Sequence, residues 1–515
     1  MTVSNDGAGA ATSKLVGIDE AARLADSHKA AGRRVVLAHG VFDLLHIGHL
    51  RHLKLARREG DVLIVSITAD RFVNKGPGRP VFPEQVRAEM LGALDTVSLV
   101  VISEAPTAVP MIESLRPDVY IKGAEYAEAE QDVTGKIVDE RLAVERGGGR
   151  IVFTDDVVHS SSALINQFMD IHDPPLQDYL NRLRGTQRLG DVLAALDKVA
   201  DCRVLLVGDA ILDEYDYVQP MGKSPKENMI ATRFTGREIF AGGVFAAANH
   251  IASFCRGVDV VTCIGDDGYE DFIRSSLKPN VTLHAVRRPE TPTTRKSRFV
   301  EPAYVRKLFE VYHFDDAPLS ESLQAEVDGL VARLAPERDL VVVADFGHGL
   351  ISASTIETFQ RHARFLAVNA QSNSANQGFN LVTKYGRADY ICVDRPEVQL
   401  AMADRWSPLD QLMRRLSERV ACGRIMVTTG RDGCISFDRE TGFNQIPAFT
   451  RSVVDTVGAG DAFLSVTSPL VARGVPLDVV GFVGNAAGAM KVGIVGHRQA
   501  IDKVRLIKYV TALLK

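Results

Sequence analysis

The sequence predicts an α/β fold class with two doubly wound parallel-sheet domains that follow one another along the chain. Short apolar runs alternate with helix-like stretches in both halves, which is typical of parallel strands joined by crossover helices. The runs are continuously apolar rather than alternating, as expected for strands covered on both faces. The chain has 515 residues and a polar stretch at 170–190, so we expect two separate cores with a boundary there.

The first half contains predicted strands with helices between them. The strands are VVLAHG (35–40), DVLIVSI (61–67), VSLVVIS (97–103), VYIKG (119–123) and RIVFT (150–154), and the helices span 46–60, 85–94, 109–115 and 136–149. Glycines at 147–149 indicate a helix end rather than a phosphate-binding loop. We expect residues 1–30 to form a flexible tail and a leading helix, and residues 31–170 to form the first domain.

The second half repeats this alternation. Its predicted strands are RVLLVGD (203–209), VDVVTCIGDD (258–267), LVVVADFG (340–347), FLAVNA (365–370), YICVD (390–394) and RIMVTTG (424–430). A helix at 189–200 closes a linker of residues 171–200, and the second domain is predicted to span 201–515. The segment GKSP (222–225) is not a Walker loop, because Tyr217 stands where that loop needs a glycine.

Composition excludes several classes of protein. The net charge of −5 argues against a general nucleic-acid binder, which needs a basic face. The six cysteines form no C-x-x-C pair, so we expect neither a disulfide framework nor a zinc cluster, and a reducing compartment fits. No apolar run approaches the roughly 20 residues that span a bilayer. We therefore expect a soluble, cytoplasmic protein that binds neither nucleic acid nor membranes.

The segment GVFDLLHIGHL (40–50) carries the strongest chemical pattern of the first half. A buried strand ends at Gly40 and a helix is predicted from about His46, so backbone N–H groups at the helix start favour phosphate. His46 and His49 share one helix face, and Gly48 leaves room between them for a ligand. Imidazoles there can donate hydrogen bonds to a phosphoryl transition state, so we interpret H-x-G-H as a phosphate-transfer site rather than a structural histidine pair.

With this motif, the segment from about 34 to 166 resembles the cytidylyltransferase-like nucleotidylyltransferases, which have a Rossmann-like fold. It is most similar to the adenylyltransferase half of the bifunctional heptose 7-phosphate kinase/heptose 1-phosphate adenylyltransferase family. The resemblance implies that a sugar 1-phosphate attacks the α-phosphorus of a nucleoside triphosphate, with Mg²⁺ as cofactor. The implied catalytic residues are His46, His49, Lys75 and Arg87, and the implied nucleotide and phosphate contacts are Gly40, Phe42, Asp43, Gly48, Lys122, Gly123, Ser160, Ser161 and Ser162. The three serines replace the family's usual Ser-Thr-Thr, so ATP and CTP both stay open.

The segment DTVGAGDAF (455–463) is the corresponding pattern of the second half. Gly458, Ala459 and Gly460 allow a tight turn, and a helix is predicted to follow at once, so backbone N–H groups can form an anion hole for a phosphoryl group. The carboxylate of Asp461 lies beside that hole, where it can accept a proton from an attacking hydroxyl. The pattern therefore predicts phosphoryl transfer from a nucleotide to an alcohol.

The second half, from about 203 to 500, resembles the ribokinase-like (PfkB) sugar kinases through this motif and several shorter segments. The resemblance implies Asp461 as the catalytic base, ATP as the donor and Glu397 near Mg²⁺-bound water. It implies nucleotide contacts at Thr429, Gly430, Gly433, Gly458, Ala459, Gly460 and Asn485, and sugar contacts at Asp209, Asp213, Gly242, Gly243 and Arg295. It also implies homodimers through a small lid on the kinase sheet.

Together the two resemblances predict a bifunctional sugar-activating enzyme with the family's domain order reversed. Its substrates would be sugar phosphates and nucleoside triphosphates, with heptose 7-phosphate and ATP as the leading pair. The kinase half departs from its family at Ala246, at NAQ (369–371) and at Asp394. Two alternatives therefore stay open: a cytidylyltransferase for a polyol or sugar phosphate fused to a kinase of other specificity, or a silent, regulatory kinase half.

Overall fold

The computed structural model describes residues 14–73, 79–123, 136–154, 173–184, 186, 188–303, 305–450 and 452–514. The chain divides into two compact units, one formed by 1–173 together with 507–515 and the other by 174–506. Each unit is described below by itself.

The first unit is built on a five-stranded sheet in which all neighbouring strands are parallel, in the order β3-β2-β1-β4-β5. The strands are β1 (Val35–Gly40), β2 (Val62–Thr68), β3 (Leu99–Ser103), β4 (Val119–Gly123) and β5 (Arg150–Thr154). The helices are α1 (Ile18–Ala30), α2 (Ile47–Arg58), α3 (Glu84–Gly92), α4 (Val109–Leu115) and α5 (Lys136–Arg146).

Both faces of this sheet are buried, which explains its continuously apolar strands. Val35 and Leu37 of β1 pack into one cluster with α1, α4 and α5, whereas Val36 and Ala38 pack into a second cluster with α2 and α3. Successive side chains of a strand point to opposite faces, so no position in β1 can be polar without a buried partner. The doubly wound fold predicted for this half is confirmed.

The second unit contains two sheets. The larger has nine strands in the order β10-β9-β6-β13-β14-β15-β16-β17-β18, parallel from β10 to β16 and antiparallel over the last two steps. Its strands are β6 (Arg203–Gly208), β9 (Gly257–Gly265), β10 (Val281–Arg288), β13 (Leu340–Asp345), β14 (Leu366–Ala370), β15 (Tyr390–Asp394), β16 (Arg424–Thr428), β17 (Cys434–Asp438) and β18 (Gly442–Ile446). The smaller sheet, β12-β11-β7-β8, contains β7 (Ala210–Lys223), β8 (Ile230–Gly243), β11 (Thr294–Glu301) and β12 (Arg306–His313).

Helices cover the nine-stranded sheet. They are α6 (Pro174–Leu183), α7 (Arg188–Lys198), α8 (Val244–Ala252), α9 (Glu270–Ser276), α10 (Glu321–Leu334), α11 (Ala353–His362), α12 (Arg395–Ala401), α13 (Leu409–Arg419), α14 (Ala459–Ala472) and α15 (Leu477–Lys491). The last helix, α16 (Lys503–Leu514), spans the division between the two units. Helices α10, α11 and α13 share one core cluster with strands of this sheet, and α14 packs on β13, β15 and α15. The fold class predicted for the second half is confirmed.

The four-stranded sheet was only partly predicted. Residues 210–223 form the long strand β7, which is not among the strands predicted for this half. Asp213 and Asp216 of β7 are buried, and Arg298 and Arg237 pair with them from neighbouring strands. Such cross-strand pairing is invisible in a local pattern.

Among the residues that the structure describes, no helix is long and apolar enough to cross a membrane.

Candidate active sites

The first candidate site lies at the carboxyl ends of β1 and β4. From β1 the chain moves outward to β2 and β3, and it then returns to place β4 on the other side of β1. Such a reversal opens a crevice, where ligands of open α/β sheets bind. Gly40 ends β1 and Gly123 ends β4, so both border this crevice.

His46 and His49 lie together at the start of α2. His46 is the N-cap residue, and its Nδ1 accepts a hydrogen bond of 3.1 Å from the Gly48 backbone N–H. The two imidazole rings lie 4.1 Å apart between centroids, and the His49 ring lies 5.3 Å from that of Phe42. Phe42 has φ of 50°, which turns the chain sharply between β1 and the helix. The predicted neighbourhood of both histidines at a helix N-terminus is therefore present.

Asp43 organises the backbone that faces this turn. Its carboxylate is buried and accepts hydrogen bonds from the backbone N–H groups of Val81 (2.6 Å) and Phe82 (3.2 Å). The Arg79 guanidinium lies 3.5 Å from the same carboxylate, and burial lowers the pKa of Arg79. These contacts give Asp43 a positioning role for residues 79–82, which directly follow the segment that contains Lys75.

Arg87 is fully buried in α3, and its guanidinium contacts four residues outside that helix. It donates to the carbonyl oxygens of Phe82 (2.9 Å), Val41 (2.5 Å) and Thr68 (2.9 Å), and it pairs with Asp70 at 2.5 Å. These contacts hold the turn after β1 against the end of β2. They support a positioning role, and direct contact of Arg87 with reacting phosphates stays a prediction.

The other predicted residues of this site fall into two groups. Lys122 pairs with the buried Glu140 at 2.8 Å, and Tyr120 donates to the same carboxylate at 3.1 Å. Lys122 is thus anchored beside Gly123 at the edge of the crevice. Lys75, Ser160, Ser161 and Ser162 lie outside the described residues.

The second candidate site lies at the carboxyl ends of β6 and β13, where the nine-stranded sheet reverses its order. Asp209 directly follows β6 and is buried. Its carboxylate accepts hydrogen bonds from the backbone N–H groups of Phe346 (2.9 Å) and Leu350 (3.4 Å). Burial and then the nearby Asp345 raise the pKa of Asp209 to about 6. Asp209 therefore ties the end of β6 to the loop after β13.

Asp461 lies in the first turn of α14, behind Gly458, Ala459 and Gly460. Gly458 is the N-cap residue with φ of 75°, and Gly460 is exposed with open space beside its Cα. The carboxylate of Asp461 accepts a hydrogen bond of 2.8 Å from the Gln371 side chain. Burial raises the pKa of Asp461, although His497 and Gln371 oppose this shift. A buried carboxylate with a raised pKa at a helix N-terminus suits a general base.

Asp455 holds the turn that precedes α14. Its carboxylate accepts hydrogen bonds from the Tyr215 hydroxyl (2.6 Å), the Lys307 ammonium (2.7 Å), and the backbone N–H groups of Gly496 (2.8 Å) and Val457 (3.1 Å). Burial alone would raise its pKa, but these donors lower the pKa of Asp455 to about 2. Asp455 therefore stays ionised and fixes the motif in place.

Asp213 packs against the glycine pair that ends β8. A Cβ at Gly242 would lie 2.0 Å from its Oδ2, so only glycine fits there, and Gly243 has φ of 51°. Asp213 pairs with Arg298 and also with His497, whose Nε2 lies 3.1 Å from Oδ2. Although burial would raise it, the charge of Arg298 and then the hydrogen bond with His497 lower the pKa of Asp213. The carboxylate predicted to contact sugar is thus already engaged by two protein groups.

The remaining predicted residues lie on separate elements of this unit. Arg295, on β11, donates to the Tyr269 hydroxyl at 3.1 Å. Thr429 and Gly433 close the turn between β16 and β17 through a backbone hydrogen bond of 2.8 Å, and Gly430 there has φ of 62°. Asn485, on α15, donates to the carbonyl oxygens of Ile446 and Pro447 at 3.1 and 2.9 Å. Asn485 therefore supports the segment after β18.

Glu397 lies at the start of α12 in a capping box with Asp394. Its carboxylate accepts from the backbone N–H groups of Asp394 (2.8 Å) and Ser372 (3.3 Å). Burial, then Asp394 and more weakly Asp461, raise the pKa of Glu397, so negative charge is crowded here. Among the described residues, no group of three or more His, Cys, Asp or Glu side chains is placed to hold a metal ion. The donor set fits Mg²⁺ bound mainly through water and substrate phosphates.

Several residues that surround Asp461 were not predicted from the sequence. Asp455 is the first residue of the motif DTVGAGDAF, but no catalytic or binding role was predicted for it. Gln371 was identified only as a departure from the family pattern. Lys491 and His497 follow Asn485 along the chain, and both approach Gly458: a Cβ at Gly458 would lie 3.3 Å from Lys491 Cε and 2.5 Å from His497 Cε1. A signal was available for Lys491, because it is the lone charge in the apolar run 484–496.

Two family models match the chain, one in each half. The model of the pfkB family carbohydrate kinases matches residues 203–503, and the cytidylyltransferase-like model matches residues 37–167. The matches follow one another in the order that the two motifs predicted.

Curated relatives match over a limited length. The bifunctional protein HldE of Gluconobacter oxydans is 42% identical over 153 residues, which are 29% of this chain and 30% of that protein. HldE of Magnetococcus marinus is 44% identical over 140 residues, 27% of each chain. The chain thus spans less than a third of the length of these relatives.

Solved structures resemble this chain in fold. Phosphofructokinase-2 from Escherichia coli, in its tetrameric inhibited form, matches with a TM-score of 0.50 and 15% identity, covering 60% of this chain and 99% of that one. The same enzyme in complex with potassium matches with a TM-score of 0.50 and 16% identity over the same shares. At this identity the likeness establishes the fold alone.

Proposed function

Since the chain belongs to the pfkB family of carbohydrate kinases, we propose that it is a bifunctional sugar-activating enzyme with a nucleotidyltransferase in its N-terminal half. The kinase would phosphorylate a sugar phosphate at its anomeric hydroxyl, and the other half would convert a sugar 1-phosphate into a nucleotide sugar. The observation that carries the kinase assignment is the buried carboxylate of Asp461 behind the open turn at Gly458–Gly460. The close pair His46 and His49 at the start of α2 carries the second assignment.

In the kinase reaction the sugar hydroxyl oxygen attacks the γ-phosphorus of ATP. A new oxygen–phosphorus bond forms, the bond to the β-phosphate oxygen breaks, and ADP leaves. Asp461 accepts the hydroxyl proton, and the N–H groups at the start of α14 take up charge on the transferred group. ATP would be bordered by the turns before α14 and between β16 and β17 and by α15, through Gly458, Ala459, Gly460, Thr429, Gly430, Gly433 and Asn485. The sugar would be bordered by Asp209, Asp213, Gly242, Gly243 and Arg295.

In the nucleotidyl transfer a sugar 1-phosphate oxygen attacks the α-phosphorus of the nucleoside triphosphate. The bond from that phosphorus to the bridging oxygen breaks, and pyrophosphate leaves. The nucleophile is already an anion, so this step needs charge stabilisation rather than a base. His46 and His49 would donate to the phosphates, with Lys75 as a further cation, while Asp43 and Arg87 hold the surrounding segments.

Both reactions fit Mg²⁺, which neutralises phosphate charge when it is bound. In the kinase half Glu397 and Asp394 would hold it through water, which agrees with their crowded negative charge.

We further propose heptose 7-phosphate as the kinase substrate and ATP as the nucleotide of the first half, giving an ADP-activated heptose. The proposal rests on the similarity of the first half to proteins named HldE. The two catalytic domains are proposed to span residues 31–170 and 201–515, and these limits stay predictions. CTP stays the alternative nucleotide, because the serines that would contact the nucleotide lie outside the described residues.

Two properties of the whole protein follow as proposals. All six cysteines are free thiols, which supports a reducing compartment such as the cytoplasm. The four-stranded sheet carries or adjoins exposed apolar side chains, an arrangement that supports a homodimer through this sheet. These side chains are Met221, Met229, Ile230, Phe234, Phe309 and Val311.

The function is tested by phosphorus NMR on the intact protein with Mg²⁺. ATP and a panel of sugar phosphates test the kinase, while ATP or CTP with sugar 1-phosphates tests the other half. We expect heptose 7-phosphate to give a 1,7-bisphosphate, and heptose 1-phosphate with ATP to give ADP-heptose and pyrophosphate. Turnover of another sugar beside an untouched heptose 7-phosphate would contradict the substrate, and no phosphoryl transfer to any sugar would favour a silent kinase half.

A further inference from the structure

A lysine lies directly behind the turn that precedes α14. Lys491 is the last residue of α15, and its side chain is fully buried. Its ammonium donates hydrogen bonds to the backbone carbonyl oxygens of Val457, at 2.6 Å, and Gly496, at 2.8 Å. Among the described residues, no carboxylate lies within ion-pair distance of this ammonium. Buried lysines are usually paired with an acid, so this arrangement needs an explanation.

The carbonyl oxygens belong to two segments that Asp455 also joins. The Asp455 carboxylate accepts from the backbone N–H groups of Val457 and Gly496, the same two residues whose carbonyl oxygens receive Lys491. The Asp455 carboxylate therefore binds the N–H groups of these two residues, and the Lys491 ammonium binds their carbonyl oxygens. Burial lowers the pKa of Lys491. The negative charges of Asp455 and Asp461 oppose this shift, because they favour the charged lysine.

The contacts of Asp455 and Lys491 hold the turn where phosphate is proposed to bind. Val457 directly precedes Gly458, and a Cβ at Gly458 would lie 3.3 Å from Lys491 Cε. The lysine side chain therefore passes beneath the turn and cannot move without releasing it. An error of about 1 Å at a transferring group can cost about a hundredfold in rate, so a fixed turn has kinetic value.

We propose that Lys491 is a built-in monovalent cation that fixes the phosphate-binding turn of the kinase, and that a small free cation can replace it. The inference rests on the proposed kinase function. It makes Lys491 a positioning residue, because its ammonium is held by the protein backbone. Carbonyl oxygens that converge on one point beside carboxylates are ligands for any small cation, so truncation of the lysine would leave a vacant cation site.

The test compares Lys491→Ala with Lys491→Met in the intact chain. Lys278→Ala is the matched control, because Lys278 is a partly buried lysine that donates to the Ser253 hydroxyl outside this site. Kinase kcat and KM for ATP, nucleotidyl transfer and Tm are measured in ammonium chloride and, at equal ionic strength, in tetramethylammonium chloride. Tetramethylammonium is too large for the vacated space and cannot donate hydrogen bonds.

We expect Lys491→Ala to lower kinase kcat/KM for ATP about 10- to 100-fold while nucleotidyl transfer is unchanged. Ammonium should restore kcat several-fold and raise the Tm of this variant, and tetramethylammonium should do neither. Lys491→Met fills the space with an apolar chain, so it should be slow and should not respond to ammonium. Lys278→Ala should keep its kinase activity in both salts.

Three results would overturn the inference: wild-type kcat in Lys491→Met, equal effects of the two salts on Lys491→Ala, or the same ammonium response in both Lys491 variants. If Lys491→Ala does not fold, the kinase kcat of Lys491→Met still tests the inference, because a wild-type value would overturn it. Absence of kinase turnover in the unmodified protein would instead contradict the proposed function. The ammonium-specific rise in Tm of Lys491→Ala would then still report on the cation site.

Discussion

The two candidate sites use the same place in an α/β sheet but carry different side chains. Each lies where a parallel sheet reverses its order, beside a helix N-terminus. In the first unit two imidazoles lie at the helix start, and the nearby carboxylate of Asp43 is occupied by backbone N–H groups. In the second unit the carboxylate of Asp461 lies within the first turn of the helix itself.

This difference follows the protonation state of the two nucleophiles. A sugar 1-phosphate is already an anion, so a site that transfers a nucleotidyl group to it gains from donors alone. An anomeric hydroxyl is neutral and must lose a proton, so its site needs a base. The comparison predicts that the two halves respond oppositely to loss of the carboxylate and loss of the imidazoles.

The largest effect is expected from Asp461→Asn. The amide keeps the shape and the acceptor for Gln371 but cannot take up a proton, so kinase kcat should fall about 10²- to 10⁴-fold. Nucleotidyl transfer, measured as pyrophosphate release on the same sample, should be unchanged. An asparagine variant with normal ADP production would show that Asp461 is not the base.

The converse variant is His49→Ala. Loss of one donor to a transition state commonly costs about 10²- to 10³-fold, so nucleotidyl transfer should slow by that factor while kinase activity stays normal. His28→Ala, in the last turn of α1, is the matched control and should leave both activities intact. Equal loss of both activities in His49→Ala would indicate a folding defect instead of a catalytic one.

Arg87→Lys tests whether a residue can support the first site without touching substrate. Lysine cannot reproduce four contacts made by a planar guanidinium, so unfolding free energy should fall by about 2–4 kcal/mol. Nucleotidyl kcat/KM should fall about tenfold, because the turn after β1 loosens. Urea unfolding and pyrophosphate release measure these effects.

The control for this variant is Arg150→Lys, whose partner Glu59 lies at the surface. Exposed ion pairs contribute little, so its stability should change by no more than about 0.5 kcal/mol. If Arg87→Lys keeps full stability but loses nucleotidyl transfer by orders of magnitude, Arg87 contacts the phosphates directly and the positioning role is wrong.

How well the sequence predicted the molecule also differs between regions. The strands at 35–40, 119–123, 150–154 and 390–394 match their predicted bounds, because each is a short apolar run. Three of them are mostly buried, and the edge strand at 150–154 is half-buried. The strands β7 and β8 were missed. The buried charges of β7 depend on partners such as Arg298, which is distant in sequence.

The candidate sites show the same limit. Motifs identify groups that neighbours in sequence bring together, such as His46 and His49 on one helix. They do not identify groups that tertiary packing brings together, such as Asp213 with His497, or Lys491 beneath Gly458. The latter depend on where α15 and the segment after it are placed against α14, which no local pattern specifies.

The smallest effect is expected in the pH dependence of the kinase. A base must be unprotonated to act, and burial raises the pKa of Asp461, so kcat should be lost on the acid side at a pH above the range of exposed aspartates. The hydrogen bond from Gln371 favours the charged carboxylate and lowers this pKa. Gln371→Ala removes it, so the acid limb of the kcat profile should move to higher pH.

The matched control for Gln371→Ala is Gln399→Ala, because Gln399 donates to a backbone carbonyl outside the site. Its profile should coincide with that of the unmodified protein. The nucleotidyl reaction of both variants should also keep its pH profile, because no step there depends on Asp461. An acid limb that stays in place in Gln371→Ala would mean that the limb reports another group, and the assignment of Asp461 as the proton acceptor would lose its support from pH.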